Sequence, residues 1–369
     1  MTEPETLQQV DRTYVMLQGR KLSYFAGCDY FRMASHPRVA GALKAGLDRY
    51  GLNVAASRLT SGNHRLYEVL EKELETFFHA ESATVVPTGS SSNFVAAQAM
   101  AGNFSHALVD DFSHPALVDA ARFLECPVLR FQHRNPEDAA RAVARCGPGA
   151  KLILLTDGLF SREGTVAPIR EYLKLLPKDA LLLVDDAHGA GVLGSSGRGT
   201  LEYAGVSRRR VIQTITLSKA FGTFGGAVLG SRNLRKRIFE RSHFFIGSTP
   251  LPLPLANAAL ESVRVVRTDR KLRARLKSNA DFVRDALQQA TGLSFADRPG
   301  PIITLSSSPA RELPALRRAL LDARIYPSLI RYPGGPPAGY FRFVISSEHK
   351  QSQLNLLVRT LLAHLNGKG

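Results

Sequence analysis

The sequence has no tryptophan, only four methionines and only three cysteines. Cys28, Cys126 and Cys146 lie far apart, are odd in number and never form a CxxC pair. A disulfide framework and a cysteine-rich zinc site are therefore excluded, no metal centre is expected, and a reducing compartment, the cytoplasm, is the expected location. The N-terminus carries Glu3 and Glu5 rather than a basic and then apolar stretch, so no secretory leader is expected. No uninterrupted apolar run reaches the roughly 18 residues of a membrane span. Short-period repeats and low-complexity tracts are missing too, which removes solenoids and disordered arrays.

What remains is ordinary globular composition, 369 residues with 44% hydrophobic and 22% charged side chains, enough for a large domain and a smaller one. The charge is not ordinary. A net +16 calls for an anionic partner: nucleic acid, an acidic protein, a phosphorylated ligand or a membrane surface. Residues 231–280 hold 12 Lys and Arg against 3 Asp and Glu, so the excess is concentrated in one stretch. No zinc-finger spacing, RNA-recognition aromatic motif or basic arm accompanies it, which weakens the nucleic-acid reading.

Short apolar runs alternate with amphipathic stretches from about residue 60 to 245. Between His64 and His79, Leu66, Val69, Leu70, Leu74, Phe77 and Phe78 recur at helical spacing, with Asn63 as the expected cap. Asn135-Pro136-Glu137-Asp138 reads as a helix start, with a cap, a proline at the first position and acids in the first turn. Strands are expected at Ala83–Val86, Ala107–Val109, Val128–Phe131, Leu152–Thr156, Leu181–Val184 and Val211–Leu217. Several are apolar on both faces, which suits a mostly parallel central sheet flanked by helices. After the proline-rich Pro250–Pro254 come one long basic helix, strands near 302–305, 325–330 and 340–346, and two more helices. The reading is an N-terminal segment, 1–40, packing on a small C-terminal α/β domain, 251–369, with a large domain between them at 41–250.

Ligands of open α/β sheets bind beyond the carboxyl ends of the strands. At those ends this sequence carries a chemical set. Thr88-Gly89-Ser90-Ser91-Ser92-Asn93 opens a helix, with small residues that let backbone N–H groups approach an anion. Asp110, Asp111 and His114 come after the next strand; Asp157, Gly158 and Ser161, then Asp185, Asp186 and His188, come after two more. Thr216, Ser218 and Lys219 precede a glycine-rich loop. Pyridoxal 5′-phosphate (PLP) requires such parts: a lysine for the Schiff base, a carboxylate for the pyridine nitrogen, a planar side chain for the ring face, and hydroxyl and N–H groups for the phosphate. Taken singly, Lys219 reads as a solvated lysine, Asp185 as a helix cap, and His114 and His188 as hydrogen-bonded core histidines. Their joint placement at successive strand ends is what points to a site.

These motifs resemble the α-oxoamine synthases, fold-type I PLP-dependent enzymes, from about Tyr24 to the C-terminus. The most specific pieces are Val184-Asp185-Asp186-Ala187-His188-Gly189, Gly191-Val192-Leu193-Gly194, Gly197-Arg198-Gly199 and Thr216-Leu217-Ser218-Lys219-Ala220-Phe221-Gly222. Asp157-Gly158-Leu159-Phe160-Ser161, and Arg58 through Gly62 ahead of Leu70-Glu71, add to them. The resemblance implies a fold-type I transferase that condenses an amino acid with an acyl thioester, on coenzyme A or a carrier protein, usually with decarboxylation, to give an aminoketone. It implies that Lys219 forms the Schiff base, Asp185 meets the pyridine nitrogen, His188 and Ser161 contact the ring oxygen, and His114 stacks on the ring. Gly89, Ser90 and Thr216 would hold the phosphate. Ser248-Thr249-Pro250 matches the segment that reaches a neighbouring subunit's cofactor, which implies a homodimer. Arg342 matches the arginine for the substrate carboxylate.

The pattern is broken at several places. The family's asparagine near that carboxylate is Cys28, the following Leu-Gly is Phe31-Arg32, a histidine ahead of Leu-Glu is Tyr67, and a substrate-side threonine is Gly334. These departures keep other fold-type I reactions (aldolase, decarboxylase, aminotransferase) as alternatives, with a basic nucleic-acid-binding protein as a remote one. The basic 231–280 stretch is expected to face an acyl carrier.

Overall fold

The computed structural model describes residues 5–295, 297–305, 310–331 and 335–366. They form two compact units, one made of His36–Phe160 and Val166–Arg270, the other of the described residues within Met1–Ser35, Ser161–Thr165 and Lys271–Gly369. The chain starts in the second of these with an antiparallel meander, β1 (Gln8–Gln9), β2 (Tyr14–Leu17) and β3 (Arg20–Ser23).

The larger unit begins with α1 (Pro37–Tyr50) and α2 (Arg65–Phe78). It continues through β4 (Ser82–Val86), α3 (Gly89–Ala99), β5 (His106–Asp110), α4 (Pro115–Ala121), β6 (Val128–Phe131), α5 (Pro136–Arg145) and β7 (Leu152–Asp157). Then come α6 (Ile169–Leu175), β8 (Leu181–Asp185), α7 (Thr200–Ala204), β9 (Val211–Thr216), β10 (Gly226–Gly230), α8 (Arg232–Arg241), α9 (His243–Ile246) and α10 (Leu253–Thr268). Its seven strands lie in the order β4-β10-β9-β8-β7-β5-β6, with β10 antiparallel to both neighbours and the remaining pairs parallel.

Successive strand side chains point to opposite faces, and here both faces are covered. Ala107, Val109, Ile153, Leu155 and Leu183 enter a core with helices α3 and α4, whereas Leu108, Leu152, Leu154, Leu182 and Val184 enter another with α5 and α6. That explains why these strands read as continuous apolar runs rather than as an alternation.

The smaller unit resumes with α11 (Arg270–Thr291), β11 (Ile302–Leu305), α12 (Leu313–Asp322), β12 (Leu329–Ile330), β13 (Tyr340–Val344) and α13 (Gln351–Asn366). Strands β11, β13 and β12 make an antiparallel sheet whose core includes Phe25, Leu316, Phe341, Phe343 and Leu357. Ser23 lies beside Ile325 in a parallel bridge, tying the N-terminal segment into this unit.

Several details differ from the sequence expectation. The α2 cap is His64, whose Nδ1 accepts from Leu66 N at 3.1 Å, while Asn63 instead accepts from Arg58 Nε at 2.9 Å. The expected single basic helix is two, α10 and α11, because Asp269 (φ −88°, ψ 86°) leaves helical geometry between them. Helix α10 packs in the larger unit, where Asn257 Nδ2 donates to Ala42 O of α1 at 2.7 Å. No helix of the described residues is long and apolar enough to cross a membrane.

Candidate active site

The carboxyl ends of β7, β8 and β9 bring Asp157, Asp185 and Thr216 to one edge of the sheet, with Asp157 and Asp185 directly paired in register. Around them lies a cavity of about 290 Å³ lined by Gly89, Ser90, His114, Asp157, Asp185, His188, Thr216 and Lys219, among others. Eight residues expected to cluster from widely separated motifs were Gly89, Ser90, His114, Asp185, His188, Thr216, Lys219 and Ser161; the first seven share this wall, and Ser161 belongs to the smaller unit.

Each side chain is placed by its own local structure. Lys219 sits on a tight loop closed by three backbone bonds, Gly222 N to Lys219 O, Thr223 N to Leu217 O and Leu217 N to Gly225 O, at 2.8–2.9 Å. Its Nζ lies 2.9 Å from His188 Nε2. Asp185 accepts from Asn93 Nδ2 at 2.6 Å and from Ala187 N at 3.1 Å; Asn93 in turn accepts from Thr214 Oγ1 at 2.6 Å. His114 caps α4, its Nδ1 accepting from Ala116 N at 3.2 Å and its backbone N–H donating to Asp157 Oδ1 at 3.0 Å. A ring nitrogen that accepts cannot also carry a proton; separately, burial lowers the His114 pKa, with Asp185 raising it and Lys219 lowering it to smaller extents. Asp157 is held well above the usual carboxylate range by burial and by the neighbouring Asp185 charge.

The cup at the start of α3 depends on two missing side chains. A Cβ at Gly89 would lie 2.5 Å from Thr216 Cβ, and one at Gly226 would lie 2.5 Å from the Thr88 carbonyl oxygen. Thr88 and Ser91 cap the helix reciprocally, each side chain accepting from the other's backbone N–H. The first turn of α3 therefore presents N–H groups at a positive helix end, next to the Thr216 hydroxyl. A lysine, a fixed carboxylate, two histidines and an anion cup in one cavity of this size form the donor set that PLP requires.

Thr214 was not singled out in the sequence, and Asn93 and Asp157 appeared there only within motifs, with no role of their own. Asn93 carried a signal, a polar side chain directly ahead of the apolar run Phe94–Ala97, and it is 1% exposed. Arg58 and Glu71 turn out to be structural: their ion pair of 2.5 Å is buried, and Glu71 also accepts from Val85 N at 2.9 Å. Tyr67 stacks under Arg58 and donates to Leu251 O at 2.6 Å, so the unusual tyrosine joins the same scaffold. Ser248 donates to Phe244 O, and neither it nor Thr249 lines the cavity.

In the smaller unit, Arg342 Nη1 donates to Ser161 O at 3.3 Å while its Nε is buried without a hydrogen-bond partner among the described residues. Cys28 is half-buried close to Tyr30, whose hydroxyl it bonds and whose pKa rises mainly through burial. Gly334 and its neighbours Tyr332 and Pro333 lie outside the described residues.

Fold and cavity define a PLP-binding transferase of fold type I, and comparison with known proteins agrees. The chain belongs to the aminotransferase class I and II family, which it matches over residues 28–361, and within it to the α-oxoamine synthases. It is 34% identical to the 8-amino-7-oxononanoate synthase of Thioalkalivibrio sulfidiphilus over 95% of this chain and 90% of that one. The 8-amino-7-oxononanoate synthase of Trichlorobacter lovleyi is 32% identical over 96% and 92%. Among solved structures, serine palmitoyltransferase from Sphingomonas wittichii superposes with a TM-score of 0.89 at 26% identity, covering 97% of this chain and 90% of that one. The serine palmitoyltransferase of S. paucimobilis with a bound PLP–myriocin adduct gives 0.90 at 25%, covering 99% and 92%. The protein is a PLP-dependent transferase.

Proposed function

We propose that this enzyme condenses an amino acid with an acyl thioester, on coenzyme A or a carrier protein, and that Lys219 is the residue that binds the cofactor and moves the proton at the amino acid's Cα. The observation that carries the reading is Lys219 Nζ lying 2.9 Å from His188 Nε2 in a cavity that also holds Asp185 and the α3 cup. When bound, PLP supplies an electron sink for the electron pair left at Cα. Gly89, Ser90 and Thr216 would hold its phosphate, Asp185 its pyridine nitrogen, His188 and Ser161 its ring oxygen, and the neutral ring of His114 its face.

Each residue then has a defined task. Asn93 and the Ala187 N–H fix the Asp185 carboxylate in one orientation, so that its charge stays on the side of the cavity where a protonated nitrogen is to be stabilised. His188 orients the Lys219 amine, which takes the Cα proton and later returns it. Arg342 offers a guanidinium fork for the amino acid's carboxylate, and Cys28, close to Tyr30, narrows the choice of amino acid. Names of the relatives support condensation over the aldolase, decarboxylase and aminotransferase alternatives.

We also infer a cytoplasmic homodimer, with Ser248 and Thr249 reaching the partner's cofactor. Leu43 and Leu47 form an exposed apolar pair one helical turn apart on α1, and Leu52 and Leu59 come next, 67% and 50% exposed. Assay of the cofactor-loaded protein with a panel of amino acids and acyl thioesters tests the reaction. Thiol release that depends on the amino acid is expected; its absence with every pair would leave the condensation reading without support.

A further inference from the structure

The larger unit has a second and wider cavity, about 660 Å³, whose wall includes Leu181 at the start of β8, Val211 at the start of β9 and Gly230 at the end of antiparallel β10. These are the strand ends opposite to Asp185, Thr216 and Gly226, so this cavity opens on the far edge of the sheet from Lys219. The reaction described above uses none of its residues.

Its wall is chemically sorted. Met100, Val211, Ile212 and Leu234 supply an apolar floor. Arg208, Arg209 and Arg237 supply positive charge, against one acid, Glu81, whose Oε1 already accepts from Arg232 N at 3.3 Å. None of the three arginines has a carboxylate within ion-pair distance among the described residues. Arg208 spends Nη1 on Gln213 Oε1 at 2.7 Å and leaves Nη2 buried without a hydrogen-bond partner. Arg237 rests Nη1 against Met100 Sδ at 4.0 Å. Some arginines elsewhere in the unit pair with carboxylates, Arg58 and Arg235 with Glu71, Arg130 with Asp111, Arg264 and Arg267 with Glu73, while Arg170 and Arg210 donate to backbone carbonyls. Three guanidinium groups without a direct ion pair, Arg208 feeling only the more distant Asp186 charge, therefore line one concave place, where an anion would relieve their mutual repulsion.

We propose that this cavity is a second ligand site, for a phosphorylated small molecule of nucleotide size. Arg209 and Arg237 grip the phosphates from the rim, Arg208 strengthens the field from the inner wall, the apolar floor takes the flat base, and Asn103 and Asn233 offer amides to its polar edge. The volume lies within the range of small-molecule sites, and guanidinium forks match phosphate oxygens better than ammonium groups do.

The test is calorimetric titration of ADP into the cofactor-saturated protein. One ADP per chain is expected to bind, more weakly as salt rises, with inorganic phosphate at least tenfold weaker and adenosine without measurable affinity. The double variant Arg209→Glu, Arg237→Glu should lose at least a hundredfold in affinity while the cofactor absorbance is unchanged. Asn233→Glu, at an exposed position, should weaken binding independently. No binding to the wild type, equal binding of adenosine, binding retained by both variants, or binding only to cofactor-free protein would each overturn the proposal, the last by placing ADP in the Lys219 cavity.

Discussion

Asn93 shows how one uncharged side chain governs a charged one. It bridges Thr214 and Asp185, and no other side chain is bonded to that carboxylate among the described residues. A hydrogen bond to a charged group is worth about 1.5–3 kcal/mol. Asn93→Ala should therefore weaken PLP binding roughly ten- to hundredfold, measured by titrating cofactor into the stripped enzyme; unchanged affinity would mean that Asp185 needs no brace. His349 makes a different case. Its Nδ1 accepts from Ser346 N at 3.0 Å and its Nε2 meets Tyr24 O at 3.0 Å, a network that fits only the neutral ring, and burial lowers its pKa to about 3. The unfolded chain takes up this proton near 6.5 whereas the folded one resists to about 3, so stability falls as pH drops through that window. One such group gives a slope of about 1.4 kcal/mol per pH unit. Asp186 opposes it: burial raises its pKa from 3.8 to about 6, and its contribution is lost as pH rises through that value. Denaturant titrations of wild type and His349→Gln from pH 7 to 4 separate the two: between pH 4 and 6 the opposing slopes offset each other in the wild type, whereas the variant is expected to gain stability as the pH falls through that range, the Asp186 dependence alone.

Elements place the site more than single side chains do, and here the sequence was legible to different depths. The apolar runs of β7, β8 and β9 identified a parallel sheet, and the polar residues ending them identified the cavity's edge, because both signals are local. Strand β10 was not among the expected strands: Gly226–Gly230 follows directly on a glycine-rich loop, and its place between β4 and β9 is set by pairing with both. The meander β1–β3 also depends on tertiary partners, the strand expected near 325–330 is shorter, β12 at Leu329–Ile330, and the break at Asp269 has no proline or glycine to announce it. The residues proposed for the cofactor were legible because they sit just past strands; the Asn93–Thr214 bond, a contact across 121 residues, was not. Gly226→Ala tests the close passage of β10 beneath the cup. The added Cβ would meet backbone atoms of Thr88 and Gly89 at 2.5–2.8 Å, so the cup must move. A loss of about 1–3 kcal/mol of stability is expected, together with weaker cofactor binding; a variant that keeps wild-type affinity would show the cup to be tolerant.

For the whole molecule, the charge of +16 has acquired a distribution. Part of the 231–280 excess is internal, since Arg235, Arg264, Arg267 and Arg275 bind Glu71, Glu73 and Glu348. Other arginines surround the far cavity, which makes a phosphorylated ligand a closer explanation than a nucleic acid. The exposed leucines of α1 argue for association: Leu47→Glu should shift sedimentation from dimer toward monomer, and a wild type that already sediments as a monomer would contradict the dimer. All of this depends on Lys219. The most direct test is borohydride reduction of the cofactor-loaded protein and then peptide mass spectrometry. The reduced pyridoxyl group is expected on Lys219 and to be missing in Lys219→Ala; a label on another lysine, or none, would contradict the assignment of this cavity.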